Sequence, residues 1–156
     1  MQWRKPQIFR RLKACRGTSI LETALLLPLL LLVTFSIVEF GVMFYTYLAL
    51  ENGVSEATRY GITGNQMASM TRDDSIKSSM RQASPTLTIP DTAFTFSHLP
   101  QGGASWLPGP GGPGEIEKVT VDYTWNVLTP LLWPFFSNGQ LHLQVNSSMM
   151  NEGRFQ

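Results

Sequence analysis

Glu22 is the residue whose surroundings call for chemistry. It lies five positions past Gly17, and the sixteen residues from Thr23 to Val38 that follow it carry no charge. A carboxylate inside an apolar helix costs about 2.5–3.5 kcal/mol at mid-bilayer on insertion scales, so it normally needs a partner. A cut between Gly17 and Thr18 would create one, because the new amino group would carry a positive charge one helical turn before Glu22. The amine could belong to the same chain or to a neighbouring subunit. Opposite charges 4 Å apart attract by roughly 4 kcal/mol at an effective dielectric near 20, which is the size of the penalty to be offset. The chemistry these residues suggest is therefore proteolysis at Gly17 and Thr18, followed by ion pairing at Glu22.

Other chemistry is poorly served. His98 and His142 both fall on strand-like segments with no cysteine at ligand spacing, and they read as polar-face residues rather than metal ligands. Asp73 and Asp74 are adjacent on one helix, so their side chains diverge and suit a helix start better than an acid pair. No nucleophile elbow, phosphate loop or metalloprotease motif is present. Asn146-Ser147-Ser148 fits a glycosylation pattern that matches often by chance. Cys15 is the sole cysteine, so no intramolecular disulfide forms, and a cut after Gly17 would leave none. The chain is expected to be a peptidase substrate and a structural part, not an enzyme, with no cofactor, metal or small-molecule substrate. A membrane-tethered periplasmic enzyme would need an acid, base or metal constellation that the residues do not supply.

The element that must position Glu22 is the stretch from Arg10 to Tyr47, a basic segment followed by a long apolar run. Sixteen uncharged residues fall short of the roughly 20 needed to cross a bilayer, but both flanks together suffice. A secretory signal peptide is disfavoured, since the run is too long and ends at Tyr45-Thr46-Tyr47-Leu48-Ala49-Leu50 without a small-x-small site. A plain single-pass anchor and a processed helix both remain. Pro28 inside the run removes a backbone hydrogen bond and should bend the helix, which membrane helices tolerate. Glu39, at the far end of the run, reads as a second intramembrane or interfacial acid. Phe44, Tyr45 and Tyr47 stand where an aromatic belt belongs.

Charge supplies an orientation. Residues 1–17 hold Arg4, Lys5, Arg10, Arg11, Lys13 and Arg16 and no acid, giving +6, while the other 139 residues sum to −5. Such a flank favours a cytoplasmic N-terminus, with residues after about 45 outside the inner membrane. Six cations would also bind phosphate weakly, but no reader helix or aromatic platform accompanies them, so no nucleic-acid partner is expected.

Past the bilayer, Leu50, Val54, Ala57 and Gly61 recur at helical spacing, with Glu56 and Arg59 close enough to pair. A helix continuous from 18 to 60 would be about 65 Å long, so its second half would stand in water. A second helix fits 71–83, capped by Thr71, with Ile76, Met80 and Ala83 as its stripe, an Asp73–Lys77 pair, and a stop at Ser84-Pro85. The period then falls to two. Strands are expected at 86–89, 94–97, 117–126 and 140–146, with Val119, Val121, Tyr123 and Trp125 on one face of the third. Residues 100–114 hold six glycines and four prolines and are expected to be an irregular loop, with Trp106-Leu107 packed back or binding a partner. The run VLTPLLWPFF at 127–136 either closes the small core or forms an apolar patch for a membrane or subunit. Core is preferred, because apolar clusters are usually inside.

The residues around Glu22 resemble a known family. Gly17-Thr18, with Glu22 at the fifth position after the cut, is similar to the processing site of type IV prepilins and pseudopilins. The run RGTSILETALLLPLLLLVTFSIVEFGVMF resembles the TadE-like family, pseudopilins of the tight adherence (Flp pilus) system, as do Glu39-Phe40-Gly41 and Ala57-Thr58-Arg59-Tyr60-Gly61. The likeness covers about residues 10–65; over 115–153 only the strand pattern and Asn151-Glu152-Gly153 match. It implies cleavage after Gly17 by a prepilin peptidase and work with the Flp-type major pilin and other Tad pseudopilins in starting or supporting pilus assembly. The expected fold is α+β: a basic leader (1–17), a transmembrane and protruding helix (18–61), and a periplasmic domain (62–156) with one further helix and a small antiparallel sheet. The expected location is a bacterial inner membrane, and the pilus tip or base after assembly. The alternative is an uncleaved single-pass inner-membrane scaffold of the same or another secretion machine.

Overall fold

The computed structural model describes the backbone of residues 15–153 and the side chains of residues 19–153. Most of the expected basic leader lies outside these residues. Helix α1 spans Cys15–Gly61. Among the described residues the backbone is already helical before the expected Thr18, because Gly17 inside a helix costs only about 1 kcal/mol and does not break it. The chain divides into two compact units, Met1–Val38 and Glu39–Gln156, so the boundary falls within α1.

In the first unit the apolar side chains of α1 are turned outward, among them Leu21, Leu25, Leu29 and Ile37. Ser19–Gly61 is long and apolar enough to cross a membrane. Three of its hydroxyls bond back to the helix: Thr23 donates to the Ser19 carbonyl, Thr34 to that of Leu30 and Ser36 to that of Leu32, at 2.9, 2.8 and 2.7 Å. Pro28 lies inside the helix, where it has no N–H for the carbonyl of Ala24.

The second unit is α+β. Its helical part is α1 from Glu39 onward with α2, Arg72–Ala83. Strands β1 (Phe94–Leu99), β2 (Leu107–Pro108), β3 (Ile116–Asn126) and β4 (Gln140–Met150) form an antiparallel sheet in the order β2-β1-β3-β4. The period-two pattern fixes the register: Val121 faces Val145 and Trp125 faces Leu141 across β3 and β4. Leu50, Val54 and Ala57 of α1, Ile76 and Met80 of α2, and Val119, Val121, Trp125, Leu143 and Val145 of the sheet make one core. Thr71 caps α2 by accepting from the Asp74 N–H.

Several expected details change. No strand forms at 86–89, although Ile89 is buried; the Arg81 guanidinium takes the Ile89 carbonyl at 2.9 Å, so that carbonyl needs no ladder partner. The Gly/Pro-rich loop contributes β2, which pairs with Ser97 and His98 at the sheet edge, a place where Pro108 is tolerated. Trp106 sits beneath the Lys118 ammonium, 5.3 Å from ring centroid to nitrogen, while it and Leu107 stay nearly half exposed. Lys77 pairs with Asp74 rather than Asp73. Glu56 and Arg59 do pair, at 3.8 Å, both largely exposed.

The run 127–136 is split. Val127 and Leu132 join the core, whereas Leu128, Leu131, Trp133 and Phe135 are exposed around a 3-10 helix at Pro130–Phe135. The prolines at 130 and 134 shape a tight turn that can bury one face only, so the preference for an all-core role is overturned.

Candidate functional site

At the start of α1 the Gly17–Thr18 peptide lies within helical backbone. Glu22 is exposed, and it is the only charged residue from Ser19 to Val38. Among the described residues no ion pair reaches it, while the hydroxyls of Thr23, Thr34 and Ser36 are all engaged. A carboxylate left this way on an apolar helix has its counter-charge still to find.

Glu39 has a different fate. Its carboxylate is buried and accepts three hydrogen bonds: from Leu128 N–H at 2.5 Å, Thr129 N–H at 3.1 Å and the Thr129 hydroxyl at 2.7 Å. Two backbone donors at the end of β3, which no ladder partner can serve there, are met by a helix side chain. The sequence signal for this was the acid itself; its partner, 89 residues away, carries none.

The opposite end of β3 holds a buried cluster that the sequence reading missed. Arg72, at the first turn of α2, donates to Glu117 Oε2 at 2.8 Å, the Gly61 carbonyl at 2.9 Å and the Gly111 carbonyl at 2.6 Å. Asn151 donates to the Gly112 and Pro110 carbonyls at 2.8 and 3.1 Å and so joins the same cluster to the C-terminal segment. Gly61 lies close against this carboxylate: a Cβ there would stand 2.7 Å from Glu117 Oε1 and the Glu117 side chain would have to shift. Glu117 shares parity with Val119 and Val121, so its inward direction was legible from the alternation.

Burial raises the Glu117 carboxyl from the ordinary 4.5 to about 7, opposed by the Arg72 charge and hydrogen bond. Between these values the folded chain holds a proton that the unfolded chain releases, so stability falls as pH rises. The contribution is complete below about 4.5 and lost through about 7, on the order of 3 kcal/mol. Asp74 and Asp91 are lowered by Thr71 and Arg81 hydrogen bonds respectively, and their effects lie below this window. Urea unfolding of the full chain in detergent at pH 5 and pH 8 should show the decline, and Glu117→Gln should flatten it. An equal slope in both proteins would remove Glu117 as its cause.

His98 is half-buried, with Nδ1 3.1 Å from the Gly109 carbonyl, and His142 is exposed beside Thr124 and Asp122. Among the described residues no group of three or more His, Cys, Asp and Glu is placed to hold a metal.

Residues 17–59 match the family model for TadE-like protein. Over those residues the chain is similar to the TadE-like family. No curated protein and no solved structure matches the chain. The TadE-like segment contains Gly17, Thr18, Glu22, Pro28 and Glu39, and it ends at Arg59, just short of the cluster around Gly61. It associates the protein with the Tad pilus system, whose TadE-like members are pilus components, not known enzymes. The apolar helix fits membrane anchoring. Arg72, Glu117 and Asn151 lie beyond the matched residues, and within the second unit Arg72 ties α2 and β3 to the Gly61 end of α1.

Proposed function

We propose that this TadE-like protein is a minor pilin or pseudopilin of a tight adherence (Flp-type) pilus, cut after Gly17 by a prepilin peptidase and acting in initiation or support of assembly. In this reading the leader stays cytoplasmic and the domain is periplasmic. The new Thr18 amine meets Glu22, in its own chain or in the next subunit, as helices leave lipid and bundle. Leu25, Leu29, Leu32 and Ser36 share the stripe that meets neighbours, among them the major pilin and other Tad pseudopilins. The observation that carries the reading is Glu22, exposed on an apolar helix with no ion pair among the described residues. One observation favours the uncleaved scaffold instead: the Gly17–Thr18 bond lies in helix, which must unwind before a peptidase can cut it. Gly17 lowers the cost of that unwinding by about 1 kcal/mol relative to alanine.

Glu22→Ala tests the pairing. The variant loses an insertion penalty, so it should reach the membrane at the level of the unsubstituted protein. Co-purified partner pilins should fall by about tenfold or more, the equivalent of 1.4 kcal/mol. Normal pilus assembly in this variant would overturn the role given to Glu22.

A further inference from the structure

We infer that the segment Leu128–Phe135 is a lipid-docking surface that seats the second unit in the outer interface of the bilayer crossed by α1. Two contacts lay β3 along the second half of α1: Glu117 lies against Gly61, and Leu128 donates to Glu39. The spacing agrees, since residues 39–61 of a helix and 117–128 of a strand each cover roughly 33–36 Å. β3 therefore ends beside Glu39, one residue after the uncharged run closes at Val38.

The surface at that end is apolar on both elements. Leu128, Leu131, Trp133 and Phe135 are 64, 49, 51 and 71 % exposed, and Phe40, Phe44 and Leu48 of α1, in the same unit, are 49, 58 and 62 % exposed. Water is a costly covering for so much exposed hydrocarbon. No charged residue occurs from Val127 to Leu141. Three donors of the turn are already satisfied: the Leu128 and Thr129 N–H groups by Glu39, and the Trp133 indole N–H by the Val127 carbonyl at 2.9 Å. Gly139, at φ +66°, brings backbone close beneath the indole and leaves its outer face free. An apolar turn whose Leu128, Thr129 and Trp133 indole donors are paired internally, joined to Glu39 next to the end of the uncharged run, is built to enter the headgroup–acyl boundary by about 5–10 Å. The occupant of this surface is lipid, and Glu39 is the residue that holds the turn at the right depth.

The full chain, with Cys15→Ser and single cysteines at Phe135, Leu128, Leu30 or Gln144, would be spin-labelled and reconstituted in vesicles of phosphatidylethanolamine and phosphatidylglycerol. Collision with oxygen reports lipid, and collision with a water-soluble nickel chelate reports water. The proposal expects labels at 135 and 128 to favour oxygen several-fold more than the label at exposed Gln144, approaching the label at Leu30. Water-like readings at 135 and 128 with a lipid reading at 30 would overturn the docking surface while leaving the membrane helix intact. Low collision with both reagents would mean a protein covers the turn, which also overturns it. A water reading at 30 would remove the spanning helix on which the docking rests.

Discussion

At pH 8, above the value near 7 of the folded Glu117 carboxyl, replacing Arg72 with methionine is expected to destabilise the unit formed by residues 39–156 by about 3–5 kcal/mol, because it removes the partner of a buried acid. Glu117 is fully buried, and Arg72 approaches its Oε2 to 2.8 Å. The same guanidinium also serves the carbonyls of Gly61 and Gly111, at the end of α1 and in the Gly/Pro-rich loop. Methionine fills much of the volume and makes none of these bonds. Lysine keeps the charge but has no planar fork to reach three acceptors at once, so Arg72→Lys should fall between. Arg72→Met combined with Glu117→Leu should recover a large part of the loss, since an apolar pair leaves no orphaned charge. The measurement is urea unfolding of the full chain in detergent, followed by tryptophan emission. A loss below about 1 kcal/mol for Arg72→Met would show that the cluster does not hold the unit together.

Glu39→Ala is expected to expose the turn at 127–136 and to cost about 3 kcal/mol locally, because hydrogen bonds to a charged acceptor contribute about 1.5–3 kcal/mol each and add incompletely. Alanine leaves the Leu128 and Thr129 N–H groups without the acceptor that now binds both. Their amide exchange should accelerate about a hundredfold, while amides in the centre of β3 change little. Glu39→Gln retains one carbonyl oxygen and should show a smaller acceleration. Unchanged exchange at 128 and 129 in the alanine variant would mean that the turn is held by Leu132 and Val127 packing alone.

Much of the fold was legible because its signals are local. The uncharged run, the Leu50, Val54 and Ala57 stripe, the Thr71 cap and the alternation of β3 each lie within a few turns or pleats of one another. What escaped is non-local. Nothing near Glu39 in sequence announces Thr129, and nothing near Arg72 announces Glu117, 45 residues on. The turn at 127–136 escaped for another reason. Apolar composition reports the cost of water, and that cost is removed equally well by a core or by lipid. Only the geometry around Glu39 separates Leu132, turned inward, from Phe135, turned out.

The candidate processing site was legible from residue types alone, since a glycine at a basic-to-apolar boundary and an acid one helical turn after the cut are both local marks. Its use is a matter of covalent chemistry. The most direct measurement is the intact mass of the membrane-extracted protein from cells with and without the prepilin peptidase. A mature chain beginning at Thr18 is expected where the peptidase is present, and a chain retaining residues 1–17 where it is absent. A chain that still carries its leader in peptidase-containing cells would contradict it.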